Sequence, residues 1–255
     1  MSASQIRFFS LLRREVNRFL KIKRQTVGAP LLETFLYISV FGAALGSRID
    51  KLHGIDYVVF IVPGLIMMAW ATNAFSNNSS SILQQKFLRA IDDQLSSPAS
   101  PIQLLLAFSL GGFLRGMTVA TLTFIAASIL IGVPVEHVLV LIPALFLVGF
   151  FFAQMGVLIG VRAEQFDDVS FAQTFVLQPL IFLGGVFYSA SLLPEPFQTI
   201  THFNPVYYMI GLVRYGFLGY SDTNFALSLV FLTAATTALL VFNLRLFNRG
   251  WKLRA

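Results

Sequence analysis

An all-helical membrane protein with six spans is the fold class this sequence predicts, and three observations predict it. Hydrophobic residues make up 56% of the 255 positions and charged residues only 12%, with a mean hydropathy of +0.75. Soluble domains carry about 25% charged residues, so too little polar surface is present to coat a globule. The apolar residues also gather into six continuous runs, at 30–46, 57–75, 104–131, 138–161, 169–188 and 225–246. Each is near or above the roughly 17–25 residues a helix needs to cross hydrocarbon. None alternates as a barrel strand does. Finally, Lys and Arg are distributed with a strong bias between the connections.

That bias sets the orientation. Segment 1–29 holds seven basic residues, Arg7, Arg13, Arg14, Arg18, Lys21, Lys23 and Arg24. With the N-terminus inside, the inner loops and the tail add Lys86, Arg89, Arg162, Arg245, Arg249, Lys252 and Arg254. Only Arg48, Lys51 and Arg214 fall outside. Both termini are therefore expected in the cytoplasm. The net charge of +6 is a topology signal that requires no nucleic-acid partner.

Segment 1–29 reads as an amphipathic helix in the cytoplasmic interface. At 100° per residue, Arg7, Arg14, Arg18 and Lys21 share one face, expected toward headgroups, while Phe9, Leu12, Val16, Phe19 and Leu20 share the other. A signal peptide is a poorer fit, because no uninterrupted apolar core follows the charges. A topology anchor and a mechanical element both suit these residues. Residues 30–255 then form the membrane domain. Its first span carries Glu33 near the cytoplasmic mouth, where pairing with a basic neighbour is the plainest expectation.

The inner loop after the second span predicts a short amphipathic helix at about 82–95. Leu83 or Phe87, Ile91 and Leu95 recur at helical spacing, with Lys86, Arg89, Asp92 and Asp93 on the polar side, and Ser96-Ser97-Pro98 ends it. It reads as either a connector or a docking element for a soluble partner. The third span carries Arg115 in the stretch GGFLRGM, whose glycines permit close helix approach. Snorkelling and a cavity-facing role are both open to that arginine. The short acidic loop at 162–168 leads to Asp168 or Ser170 as caps for the fifth helix.

The stretch LGGVFYSASLLPEPFQTITHFNPVYYMIGLVRYGF at 183–217 is half apolar and broken by Pro194, Pro196 and Pro205. The fifth span is expected to end near Tyr188. Pro196 and Pro205 suit the first turns of short helices, and the aromatic residues suit an interface. Backbone broken at membrane depth survives only under a protein cover or beside a cavity.

Motifs for chemistry are lacking. There is no G-x-x-x-x-G-K-[ST] phosphate loop, no G-x-S-x-G and no H-E-x-x-H, and the chain has no cysteine. His53, His137 and His202 lie on different outward connections without metal spacing. Glu33 and Arg115 are too isolated to form a proton relay. The sequence describes a transport-like membrane domain without an engine.

That combination resembles the permease subunits of the ABC-2 family, bacterial ATP-binding-cassette exporters, over essentially the whole chain. The most specific likeness is Leu177, Leu180 and Leu183 before Gly184-Gly185, then Leu193-Pro194, Asn204-Pro205, Tyr208 and Arg214. Val206 departs from it, where the family more often has a bulkier residue. FIVPGLIMM at 60–68 is similar to the family's second helix. The resemblance implies re-entrant outer helices at about 192–217 that cap a translocation route, and a homodimer in the bacterial inner membrane. It also implies two separate ABC ATPase subunits that bind ATP and Mg, so that this chain has no cofactor and is not itself an enzyme. Phe87, Arg89, Ile91 and Asp92 become docking candidates. Glu33, Arg115, Pro205, Tyr208 and Arg214 become pathway or gate candidates. Lipids, lipid-linked glycans and drug-like molecules all suit Phe-rich spans. A self-sufficient secondary transporter or channel, and a non-transporting assembly protein, are the competing classes.

Overall fold

The computed structural model describes residues 2–22, 26, 28–44, 51–250 and 252. In chain order its helices are α1 (Ala3–Lys21), α2 (Ala29–Ala44), α3 (Tyr57–Phe87), α4 (Ala90–Ser96), α5 (Pro101–Ile131) and α6 (Val138–Arg162). Then come α7 (Phe166–Phe171), a π-helical stretch (Ala172–Leu177), α8 (Gln178–Leu183), α9 (Glu195–Phe203), α10 (Pro205–Leu218) and α11 (Phe225–Arg249). Four of these, α3, α5, α6 and α11, are long and apolar enough to cross a membrane. Of the other two expected spans, the first is described as α2 over 16 residues, and its expected end at 45–46 lies outside the described residues. The fifth is one helical rod built of α7, the π stretch and α8, and it stops at Leu183 instead of near Tyr188.

Helix α3 is the spine. The most apolar window of α3 is 72% buried, against 17% for α11. Its second half, SNNSSS at 76–81, is polar yet inside the bundle. Ser79 and Ser80 donate their hydroxyls to the carbonyls of Phe75 and Ser76 one turn back, and Asn78 donates to Ala153 O on α6 at 2.9 Å. A polar layer continues from there. Asn243 of α11 donates to Gln154 Oε1 at 2.8 Å, and Gln154 donates to Ser109 Oγ of α5 at 2.9 Å.

Small residues let α5 and α6 close on this spine. Trp70 lies directly against Gly116 and Gly149, the Phe75 carbonyl against Gly156, and Ser79 O would sit 2.9 Å from any Cβ at Gly160. In lipid, where apolar burial gives helices little reason to associate, such close packing supplies much of the attraction.

Local signals fix the ends. Ser100 and Gln103 form a reciprocal capping box with Pro101 in the first turn, so α5 starts three residues before the expected 104. Asn204 caps α10 by accepting from Val206 N at 2.9 Å, and Gly219 ends it at φ +67. Among the described residues, the departure from an all-α fold is a hairpin of β1 (Lys51–Leu52) and β2 (Ile55–Asp56), with Lys51 opposite Asp56. His53 and Gly54 both have positive φ, as a two-residue type I′ turn requires. The hairpin, α9 and α10 share one end of the bundle, the cap end. α1 and α4 share the other, the basic end.

Gly156→Ala should therefore lower thermal stability by about 1–3 kcal/mol, because its methyl meets a backbone carbonyl that cannot rotate away. Gly42→Ala, whose Cβ would meet the two γ-methyls of Val58 at 3.5 and 4.0 Å, ordinary van der Waals contact, should be neutral or stabilising. Fluorescence-monitored unfolding in detergent compares the two. Equal melting temperatures would refute the close-packing argument.

Candidate functional site

At the basic end the expected 82–95 helix is two pieces. α3 continues to Phe87, the chain turns at Leu88-Arg89, and α4 follows. Arg89 adopts the left-handed conformation at φ 56, which breaks helical phase between the pieces. Phe87 and Leu88 stand at the corner with 75% and 65% of their surface exposed, and Arg89 is exposed beside them. Asp92 is half-buried. Ile91 is a correction: it is fully buried with Ile82, Leu104, Leu105, Phe108 and Phe247, so it supports the corner from beneath and offers no docking surface. Lys86 is another, because it belongs to the last turn of α3, which still packs inside the bundle. Its Nζ donates to Val161 O at 2.9 Å and Ala163 O at 2.6 Å, tying off the end of α6. Leu88 was not anticipated from helical spacing.

Helix α1 is also oriented differently from the expectation. Its first turns follow α5, where Gln103 donates to Ser4 Oγ at 2.6 Å, and further along Glu15 Cβ lies over Gly111, 2.7 Å from where a Cβ would stand. Part of the basic face turns toward protein. Glu15 is 1% exposed and accepts from Ser81 Oγ at 2.6 Å and Gln85 Nε2 at 3.0 Å. Arg14 joins Glu15 at 3.2 Å, Gln85 Oε1 at 3.1 Å and Gln94 Oε1 at 2.9 Å, while Arg18 donates to Asn77 Oδ1 at 2.8 Å. Gln94 also donates to Gln85. One buried carboxylate thus joins α1, α3 and α4. Its signal in the sequence is that Glu15 is the sole acid among seven bases in 1–29.

The two charges within the expected spans are not paired with each other. Glu33 is exposed on α2, in an apolar groove of about 420 Å³ with Leu32, Leu36, Tyr37 and Val40. Among the described residues it makes no ion pair with a basic neighbour. Arg115 is only 8% exposed, which is inconsistent with a side chain snorkelling through lipid.

At the cap end, Arg214 is not on an aqueous connection but is 2% exposed. Its guanidinium lies 3.9 Å from the centroid of Phe60, donates to Gly185 O at 2.8 Å and pairs with Asp222 Oδ2 at 3.2 Å. Asp222 Oδ1 accepts from Ser189 Oγ at 2.8 Å and Tyr220 OH at 2.6 Å. Burial and Asp222 push the Tyr220 phenol up to about 12. His53 stacks on Tyr220 with ring centroids 4.5 Å apart. Pro205 opens α10, and Tyr208 OH donates to His202 O at 3.0 Å. The backbone after α8 is covered from the same side, since Asn204 donates to Leu180 O at 2.7 Å and Tyr57 to Phe187 O at 3.0 Å. Asp168, expected as an N-cap, acts from inside the first turn of α7, accepting from Glu164 N and Gln165 N. No group of acidic and histidine side chains suits a metal among the described residues.

Removing one partner of the Arg214–Asp222 pair leaves a buried charge, so Asp222→Asn and Arg214→Met should each destabilise by about 3–5 kcal/mol. The double variant Arg214→Met/Asp222→Leu should recover part of that loss. A thermal double-mutant cycle in detergent measures the coupling, and additive single losses would show that the pair does not act as a unit.

Residues 6–218 match the model of the ABC-2 type transporter family. The chain is 41% identical over 229 residues to the inner membrane transport permease YadH of Escherichia coli K12, covering 88% of this chain and 90% of that protein. It is 26% identical over 219 residues to nodulation protein J of Sinorhizobium fredii, covering 84% and 82%. With nodulation protein J of Rhizobium leguminosarum bv. trifolii it shares 28% identity over 195 residues, covering 74% and 73%. An exposed corner on a buried polar node at one end, a latched proline-broken cap at the other and apolar helices between them fit that match, and the chain belongs to the ABC-2 type transporter family of multi-pass inner-membrane permeases.

Proposed function

We propose that this chain is the membrane-spanning half of an ATP-driven exporter. Two copies pair, and each takes one separate ABC ATPase subunit, which holds ATP and Mg. α2 and the 166–183 rod complete six spans with the four long helices, leaving both termini in the cytoplasm, as the basic bias requires. Cargo is hydrophobic or amphipathic, in the class of lipids, lipid-linked glycans or drug-like molecules. It moves outward along a route with Glu33 and Arg115 on its walls, under a cap formed by Pro205, Tyr208 and Arg214.

The observation that carries this reading is the corner at Phe87, Leu88 and Arg89. Large apolar side chains left exposed beside a rigid support mark a place where another protein sits. Gln85 and Gln94 tie the corner to Glu15, so a push on α4 reaches α1 and α3 together. The ATPase cycle needs such an element, one whose position differs between the two states that ATP selects.

The purified chain should neither bind ATP tightly nor hydrolyse it, whereas ATPase activity should appear with the co-purified partner. Phe87→Asp and Arg89→Glu should reduce partner pull-down at least tenfold, since burying an unpaired carboxylate costs about 1–3 kcal/mol or more. Arg89→Gly, which suits the left-handed backbone, should weaken docking without loss of thermal stability. Stoichiometric ATP binding by the chain alone would refute the reading. Full co-purification of all three variants would move docking away from this corner.

A further inference from the structure

Arg115 is nine-tenths buried within α5, and among the described residues it makes no hydrogen bond and no ion pair; its Nε is one of the buried nitrogens without a partner. The one charge acting on it among those residues is the like charge of Arg18. A buried guanidinium normally finds carboxylates or carbonyls, because its desolvation is otherwise uncompensated. Glu15 does not serve here, since its oxygens are already taken by Ser81, Gln85 and Arg14. Arg18 is only partly committed: its Nη2 bonds to Asn77, while its Nε, 3.5 Å from Glu15, lacks a hydrogen-bond partner. Glu15 packs over Gly111, Arg18 follows Glu15 by one turn of α1 and Arg115 follows Gly111 by one turn of α5, so the two arginines belong to the same stretch of the α1–α5 contact, where Glu15 is already shared by Arg14 and Arg18.

Arg18 also lines an open groove of about 890 Å³ at the basic end, together with Arg13, Arg14 and Lys21. The groove reaches Arg18, the outer of the two arginines, and carries further cations on its lining.

We propose that Arg18 and Arg115 form a binding site for the phosphate of a lipid, entered along the basic groove, with the acyl or isoprenoid chain remaining in the membrane beside α5. The planar guanidinium suits phosphate oxygens in bidentate geometry, and two arginines meet a phosphate from two sides without repelling each other once it is seated. A lipid phosphate is favoured over an acidic protein segment because Arg115 lies within a membrane-crossing helix, whereas docking elements reach only the groove. The inference takes from the transport reading only that α5 crosses the membrane. Phosphatidylglycerol and an isoprenyl phosphate present the same group, one as bulk lipid and the other as the anchor of a lipid-linked cargo.

The test uses the full chain in detergent, stripped of lipid, with thermal unfolding and native mass spectrometry as readouts. Phosphatidylglycerol should bind and raise the melting temperature, because a ligand of the folded state stabilises it. Diacylglycerol, which lacks the phosphate, should do neither. Arg115→Gln should bind phosphatidylglycerol at least roughly tenfold more weakly and lose the stabilisation. Without lipid it should melt no lower than the parent, because it relieves an uncompensated charge. Should Arg115→Gln fail to fold, Arg115→Lys provides the second reading, with binding weakened but retained. Farnesyl phosphate separates the sources: binding of both lipids supports a general lipid-phosphate site, and binding of farnesyl phosphate alone supports a cargo anchor. Equal response to diacylglycerol, or unchanged binding in both variants, would overturn the proposal. None of these lipid readouts requires the ATPase, so their failure leaves the transport reading intact.

Discussion

Hydrocarbon contains no water, so every backbone carbonyl, amide and polar side chain inside the bundle must be satisfied by protein. This constraint accounts for the cap. The rod of α7, the π stretch and α8 stops at Leu183, and the chain then runs irregularly through Gly184 and Gly185. Three carbonyls that would be orphaned there are answered from elsewhere in the chain, Leu180 by Asn204, Gly185 by Arg214 and Phe187 by Tyr57. Arg214 in turn needs Asp222, and Asp222 brings in Ser189 and Tyr220. A proline-broken segment is thus converted into a cross-linked lid by one buried ion pair and the carbonyls it covers.

At the basic end the same constraint couples elements that are far apart in sequence. Glu15 can be buried only because Arg14, Arg18, Ser81 and Gln85 surround it, and Gly111 leaves room for it. Gln94 extends that network into α4. The layer of Asn78, Gln154, Ser109 and Asn243 links α3, α6, α5 and α11 in the same fashion. In a low-dielectric interior such networks resist partial opening, since each unpaired group is costly. The helices are therefore expected to move as groups, as a transporter driven from one end requires. Arg115 stands outside these networks: among the described residues its buried guanidinium makes no hydrogen bond and no ion pair, and a buried group left so calls for a partner from elsewhere.

Much of the fold was legible because the bilayer makes composition decisive. The four long spans follow from apolar runs, and Pro101, Pro205 and Asn204 mark helix starts as local chemistry dictates. What was not legible depended on tertiary partners. Periodicity put Ile91 and Phe87 on one surface, but the left-handed turn at Arg89 shifted the phase and buried Ile91 while exposing Leu88. The helical wheel of 1–29 separated basic from apolar residues correctly, but could not show that Gly111 and the polar half of α3 would draw Glu15, Arg14 and Arg18 inward. The hairpin at 51–56 has two-residue strands, too short for an alternating pattern to register. Asp222 stood in a small polar loop, and nothing in that loop points to Arg214 eight residues earlier.

The central claim is that paired copies are driven through α4 by ATP. The chain has no cysteine, so a single spin label can be placed at Asp93→Cys, an exposed site on α4. Electron–electron double resonance on the complex with its ATPase then reads the distance between the two α4 helices directly. The account predicts one distance without nucleotide and a shorter one with ATP trapped. Absence of a dipolar signal, or the same distance in both states, would contradict it.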